Sequence, residues 1–178
     1  MEGLGAIRRF LADDHERLEV LLRSAVTPSG GIDVASYEEF RAGLLRHIGI
    51  EEKILFPASQ RANGGSPHPT VPRLHRDHGA LALLLVPTPT AGIVEEIRSI
   101  LDEHNEIEEG EGGVYHACDR LLGDELDAVL ERLRTYPPVK LAPHFDGPEV
   151  PRRAEDALRA ASRRRTPRDE TSGSESGS

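Results

Sequence analysis

The sequence predicts an all-α protein, and three observations carry the prediction. Apolar residues recur at spacings of three and four in four separate segments, and no stretch of any length alternates with the period of a strand. The first two segments are also echoed by the second two. DDHERLEVLL around His15 aligns with RDHGALALLL around His78, and RHIGIEEKI around His47 aligns with EHNEIEEGE around His104. The offsets are 63 and 57 residues, so the chain reads as a duplicated helical hairpin folded into a pseudo-twofold bundle.

In the first segment Leu4, Ile7, Leu11, His15, Leu18 and Leu22 share one helix face, since residues three and four apart are neighbours on a helix. Pro28-Ser29-Gly30-Gly31 ends that helix, and Ser36-Tyr37-Glu38-Glu39 offers a capping box for the next. The second stripe runs Phe40, Leu44, His47, Glu51, Leu55. Asn63 to Pro72 links the halves, and the third stripe is Leu74, His78, Leu81, Leu85. Pro87-Thr88-Pro89-Thr90 turns the chain into the fourth, which runs Ile93, Ile97, Ile100 or Leu101, His104, Glu108.

Past Glu108 stand Gly110, Gly112 and Gly113, each costing about 1 kcal/mol against alanine in a helix, so the helix is expected to break or bulge. The break is either a widened opening or lid beside the polar stripe, with Tyr115 and His116 at its rim, or a plain connection. Tyr115 to Leu122 is expected to finish the fourth helix. Leu126, Val129, Leu130 and Leu133 define a fifth, amphipathic helix over Asp124 to Arg134 that covers one end of the bundle. The expected organisation is a bundle with its covering helix over 1–135, a proline-rich strap over 136–151, and a tail over 152–178. The tail is first basic and then rich in Ser, Gly and Glu, which predicts disorder past about residue 166. Its basic part is either a short helix or, as expected from an apolar face that is mostly alanine, solvated chain. His68 and His144 are expected to face solvent.

The stripes carry the chemistry. A carboxylate pointed into an apolar core costs several kcal/mol unless something pairs with it, and two that converge need a cation. One core histidine is ordinary packing, and one His-x-x-x-Glu pair on a helix is a weak signal. Their recurrence in duplicate makes His15, His47, Glu51, His78, His104 and Glu108 a candidate shared metal site. Imidazole with carboxylate suits iron, zinc, manganese or copper; Cys118, the sole cysteine, rules out a sulfur site and a disulfide within the chain. The pairs run His first with Glu four later, unlike the Glu-x-x-His of ferritin-like bundles. Tyr37 and Tyr115 are possible donors to groups around the metal, and packing is the expectation for each.

The order His, His-x-x-x-Glu, His, His-x-x-x-Glu, together with Ile54-Leu55-Phe56-Pro57 after the first pair, resembles the hemerythrin-like HHE cation-binding domain over about residues 7 to 122. The resemblance implies an antiparallel up-down four-helix bundle holding two non-haem iron ions, ahead of zinc or manganese. It assigns His15 and His47 to one iron, His78 and His104 to the other, and Glu51 and Glu108 as bridges. Hemerythrins carry His-x-x-x-His on the third helix, but Leu74 stands four residues before His78 here. His75 either supplies a fifth imidazole or points outward. The Gly-rich run departs from the family's usual helix ending.

Two functions stay open on this reading. One is a binder of O2, NO or peroxide for sensing, carriage or iron handling; the other is a di-iron enzyme of oxidase or catalase type. A metal-free structural bundle is the third alternative. The chain of 178 residues carries a net charge of −9, which disfavours nucleic acid as a partner. No run is long enough to span a membrane and no basic leader precedes an apolar core, so a cytoplasmic location is expected.

Overall fold

The computed structural model describes residues 5–165. Among these residues the protein is all-helical, with only an isolated bridge between Val26 and Ile32 outside the helices and turns. The helices are α1 (Ala6–Ser24), α2 (Val34–Ile50), α3 (Phe56–Ala62), α4 (Val71–Leu84), α5 (Ala91–Glu109), α6 (Val114–Leu121), α7 (Leu126–Arg134) and α8 (Ala154–Arg165). A π-helical turn, Glu51–Leu55, joins α2 to α3, and a 3-10 turn, Gly123–Glu125, leads into α7.

The four helices that carry the polar stripes each cross from one apolar cluster to another. Ile7 and Leu11 of α1 and Val71 and Leu74 of α4 belong to the first cluster, with Ile54, Leu55 and Tyr115. Leu18 and Leu22 of α1, Leu81 and Leu84 of α4, and Phe40, Leu44, Ile97 and Leu101 of α2 and α5 form the second. Hence α1 and α4 run from the first cluster to the second, and α2 and α5 run back. His15, His47, His78 and His104 lie between the two, in a buried polar layer.

Local chemistry sets the ends. Asp33, rather than Ser36, caps α2: its carboxylate accepts from the Ser36 amide at 2.7 Å, and Ser36 already lies inside the helix. Thr90 caps α5 through the Ile93 amide. Asp119 of α6 reaches across to accept from the Ile7 and Arg8 amides, tying α6 to the first turn of α1. The chain does not end its helix at Ile54-Leu55-Phe56-Pro57 but continues to Ala62. Pro57 has no N–H and its ring conflicts with the carbonyl four residues back, Lys53, so the chain widens into the π turn there instead of stopping.

The fourth helix ends at Glu109, and α6 is a separate helix set at a sharp turn. Gly112 takes a left-handed φ of +78°, and a Cβ on Gly113 would stand 2.4 Å from the Glu108 carbonyl oxygen. Only glycine makes that turn. Helix α7 buries Val129, Leu130 and Leu133 against the first cluster.

The basic segment corrects the expectation of solvated chain over 154–165. It is the helix α8, docked along α4 with Ala157 and Ala161 buried, its first amide held by Glu96 at 2.7 Å. The alanines that look too small to hold a helix suit close approach, because interaxial distance follows the side chains at the contact. A Cβ on Gly79 would meet that of Ala161 at 3.2 Å. Gly79→Val is therefore expected to lift α8 at a cost of about 1–3 kcal/mol, and tryptic cleavage within α8 should accelerate roughly tenfold or more. Unchanged cleavage kinetics would contradict the docking. The disorder expected past residue 166 lies outside the described residues.

His144 also departs from expectation. It is partly buried in the strap, with Nε2 against the Glu38 carboxylate and Nδ1 3.3 Å from the Val86 carbonyl. Asp146 ties the strap down further by accepting from the Thr88 amide and hydroxyl. His68 is half-buried and bonds Thr70 at 2.8 Å.

Candidate metal centre

Helix periodicity places one imidazole of each of four helices in the polar layer, and two glutamates join them. Glu51, His78, His104 and Glu108 form one group of close donor atoms, and His15, His47 and Glu108 form another; all six residues are buried. The ring nitrogens face in pairs. His15 Nε2 lies 2.9 Å from His47 Nε2, and His78 Nε2 lies 3.1 Å from His104 Nε2. Each glutamate presents one oxygen to each pair. Glu51 Oε1 is 3.6 Å from His47 Nε2 while its Oε2 is 3.1 Å from His78 Nε2. Glu108 Oε2 is 3.4 Å from His15 Nε2 while its Oε1 is 3.1 Å from His104 Nε2.

Those spacings suit shared cations. Ligands about 2.0–2.1 Å from one metal stand about 3.0 Å apart at right angles and about 3.3 Å apart in a tetrahedron. Glu51 Oε2 and Glu108 Oε1 are buried and accept no hydrogen bond among the described residues, despite the imidazoles at 3.1 Å. Orphaned carboxylate oxygens aimed at imidazole nitrogens are what a cation between them would satisfy.

Behind the cluster, each imidazole has a carboxylate at its other nitrogen. Nδ1 of His47 donates to Asp14 at 2.8 Å, Nδ1 of His78 to Glu52 at 2.7 Å, and Nδ1 of His15 to Glu109. His104 Nδ1 stands 3.5 Å from Asp77, the loosest of the four. This arrangement fixes the tautomer, leaving the Nε2 lone pair free for the centre. It repeats with the duplication: the Asp before each single histidine serves the His-x-x-x-Glu histidine of its own half, and the second Glu of each Glu-Glu pair serves the single histidine of the other half. Sequence reasoning used these four residues only as evidence of repetition. The repeated Asp-His and Glu-Glu pairs were the signal that could have found them.

Tyr115 is the larger correction. It is fully buried rather than at a rim or merely packed, with its hydroxyl 2.5 Å from Glu51 Oε1, 2.9 Å from Glu108 Oε2, and 3.2 and 3.3 Å from Nε2 of His15 and His47. The glycine turn after α5 swings α6 beneath the cluster and delivers it. Tyr37 is also buried, but its hydroxyl has no partner among the described residues, and His116 is exposed. His75 is not brought into the cluster. Its Nδ1 pairs with Glu52 at 2.6 Å on the outer side of His78.

Charge in the metal-free protein follows from these contacts. Burial opposes a charge on His47, but Glu51, Asp14 and Glu108 outweigh it and raise its pKa to about 10. Burial likewise opposes charge on His78, and the surrounding glutamates raise it well above the ordinary value. Burial and the neighbouring Glu108 push Glu51 up, yet His47 and His78 prevail and hold it low. Burial, Glu108 and Glu51 together keep Tyr115 a neutral phenol. Protons thus occupy the place of a cation.

The stability consequence has two limbs. Burial would raise Glu52 and Asp14, but the histidines beside them hold both at about 2, from 4.5 and 3.8. Depressed carboxylates stabilise above their unfolded values and lose that stabilisation as pH falls toward 2. His47, raised from 6.5 to about 10, stabilises fully below 6.5 and loses this as pH rises through 10. The metal-free protein should therefore melt highest between about pH 4.5 and 6.5. Loading metal should remove the alkaline decline, because the cation replaces the protons. A chelated protein whose Tm is flat from pH 5 to 10 would contradict this.

On the side away from Tyr115 the four imidazoles border a small cavity of about 10 Å³, whose other walls include Leu18, Leu44, Ile48, Leu81, Leu101 and Asn105. That is close to the least volume that admits one water molecule.

A buried, carboxylate-backed set of histidines and glutamates on four helices defines a helical protein with a candidate cation site. The chain belongs to the hemerythrin HHE cation-binding domain family, whose model matches residues 6–111. No curated protein and no solved structure matches it. No described helix is long and apolar enough to cross a membrane.

Proposed function

We propose that this is a non-haem di-iron protein of hemerythrin type that binds a small ligand such as O2, NO or peroxide, for sensing, carriage or iron handling in the cytoplasm. In this reading α1, α2, α4 and α5 are the antiparallel up-down four-helix bundle of two duplicated hairpins. His15 and His47 would hold one iron and His78 and His104 the other, with Glu51 and Glu108 offering an oxygen to each pair. The observation that carries it is the facing of two Nε2 pairs across two glutamates, with a carboxylate at Nδ1 of each ring. Four imidazoles with the two carboxylate donors Glu51 and Glu108 suit iron, which the family resemblance puts ahead of zinc or manganese, and the carboxylates of Asp14, Glu52, Asp77 and Glu109 behind the rings make the imidazoles stronger donors.

Bound iron would supply an open coordination position and the electrons that hold or reduce the ligand. The chain supplies the rest. Leu18, Leu44, Leu81 and Leu101 exclude bulk water from the cavity, which suits reversible binding of a diatomic molecule. Tyr115 favours a second reading, a di-iron enzyme of oxidase or catalase type, because its O–H is a proton donor beside both glutamates.

Elemental analysis of protein from iron-supplemented cells tests the proposal, with a visible spectrum of the reduced protein before and after air. About two irons per chain with a reversible oxygen-dependent band supports the binder. Irons that oxidise once, or that consume peroxide, support the enzyme. Zinc alone, or no metal, overturns both.

A further inference from the structure

The cavity beside the imidazoles is itself two-fold. The offsets that relate the halves pair His15 with His78, Leu18 with Leu81, Leu44 with Leu101 and His47 with His104, and all eight line it. The same offset pairs Ile48 with Asn105, which also both line it. Here the symmetry fails, with an apolar side chain on one wall and a carboxamide on the other.

Each of these two residues also lines an outer groove. On the Ile48 side the groove, about 330 Å³ in volume, runs between α2 and α4 and is flanked by α8, whose Ala161 and Arg164 line it. On the Asn105 side the groove lies between α1 and α5, about 440 Å³ in volume, with His15, Glu19 and Asn105 shared between groove and cavity. Asn105 Oδ1 is buried there and has no hydrogen-bond partner among the described residues. A buried amide oxygen without a partner is destabilising unless something donates to it. The groove outside is acidic: Asp13, Glu16, Asp102 and Glu109 line it, Arg98 pairs with Glu19, and among the described residues its lining holds no lysine or arginine. Such a mouth repels anions and lets neutral molecules pass.

We propose that Asn105 is the polar gate of the cavity, and that it positions a small, neutral, hydrogen-bonding ligand of the hydrogen peroxide class that enters between α1 and α5. This rests on reading the cluster as a ligand-binding metal centre. The carboxamide accepts a hydrogen bond from the incoming O–H, which a purely apolar ligand cannot give. On the opposite wall the side chain of Ile48 offers no such contact.

The test is Asn105→Leu in iron-loaded protein, with NO and hydrogen peroxide as probes in stopped flow. The expected result is a peroxide response at least tenfold slower, with iron content, circular dichroism and NO affinity within about twofold of wild type. Azide, an anion, should bind wild type faster as salt screens the groove. A crystal of the zinc-loaded protein should show a water donating to Asn105 Oδ1 that is missing from the leucine variant. An unchanged peroxide rate, an equal loss for peroxide and NO, or an apolar contact in place of that water overturns the gate. A wild type that binds NO but ignores peroxide overturns only this inference, whereas a wild type without metal overturns the function beneath it.

Discussion

Glu108→Ala is expected to strip both metal ions from the protein, taking the content from about two per chain to near zero. Glu108 is the donor common to both groups, with one oxygen 3.1 Å from His104 Nε2 and the other 3.4 Å from His15 Nε2. Its loss opens one edge of each group at once. Because the metal stabilises only the folded chain that gathers its ligands, a chelator should lower the melting temperature of wild type and leave that of the variant unmoved. Metal bound at a hundred times its dissociation constant contributes about 2.7 kcal/mol, so the difference will be measurable. His144→Ala is the control, since that ring is held by Glu38 and the Val86 carbonyl in the strap. Equal metal content in the two variants would sink the assignment of Glu108.

Tyr115→Phe should leave the metals in place and change what they do. Six other donors remain, so content should stay near that of wild type. The phenol is the proton donor nearest both glutamates, and removing a positioned donor typically costs on the order of 10²-fold or more in a proton-coupled step. A fall of that size in the peroxide response, with O2 or NO affinity nearly unchanged, would mark Tyr115 as the donor that separates binding from turnover. The metal-free form is a second readout. There the hydroxyl satisfies one of two buried carboxylates, so the variant should be less stable by about 1–3 kcal/mol. Burial and both glutamates keep the phenol protonated without metal, whereas nearby cations act in the opposite sense. If the visible spectrum of the loaded protein loses an intense band in the phenylalanine variant, Tyr115 is a phenolate ligand rather than a donor. If neither spectrum nor rate changes, the hydroxyl has no part in the chemistry.

How far the site was legible follows from where its information resides. His15, His47, Glu51, His78, His104 and Glu108 each occupy an apolar stripe, and a stripe is a local property: spacing of three and four puts a residue on the buried face whatever the partner helix is. The duplication then implied that the stripes meet. Asp14, Glu52, Asp77 and Glu109 sit one residue away from those positions, at the margin of the stripe. Local spacing cannot tell a residue that reaches across to the next helix from one that meets water. Their repetition was visible, but their pairing with a ring on a neighbouring helix was not.

Elsewhere the chain's own rules competed. The glycines after Glu108 predicted a break correctly, but the angle at which α6 returns depends on Gly112 at φ +78° and Gly113 against the Glu108 carbonyl. That angle carries Tyr115 into the cluster. Alanine reads as a poor reason for a helix to dock, until Gly79 is found beneath Ala161. The Pro57 that suggested a helix end produced a π turn, because the helix remained packed on both sides of it. By itself the sequence determined the helical class and the six inward-facing metal-type residues, since each follows from periodicity along its own element, and the family, since the order of His and His-x-x-x-Glu motifs along the chain carries that resemblance. The tertiary structure alone decided the carboxylates behind the histidines, the tyrosine beneath them and the docking of α8, since each is a contact between elements whose relative position no single stretch of sequence encodes.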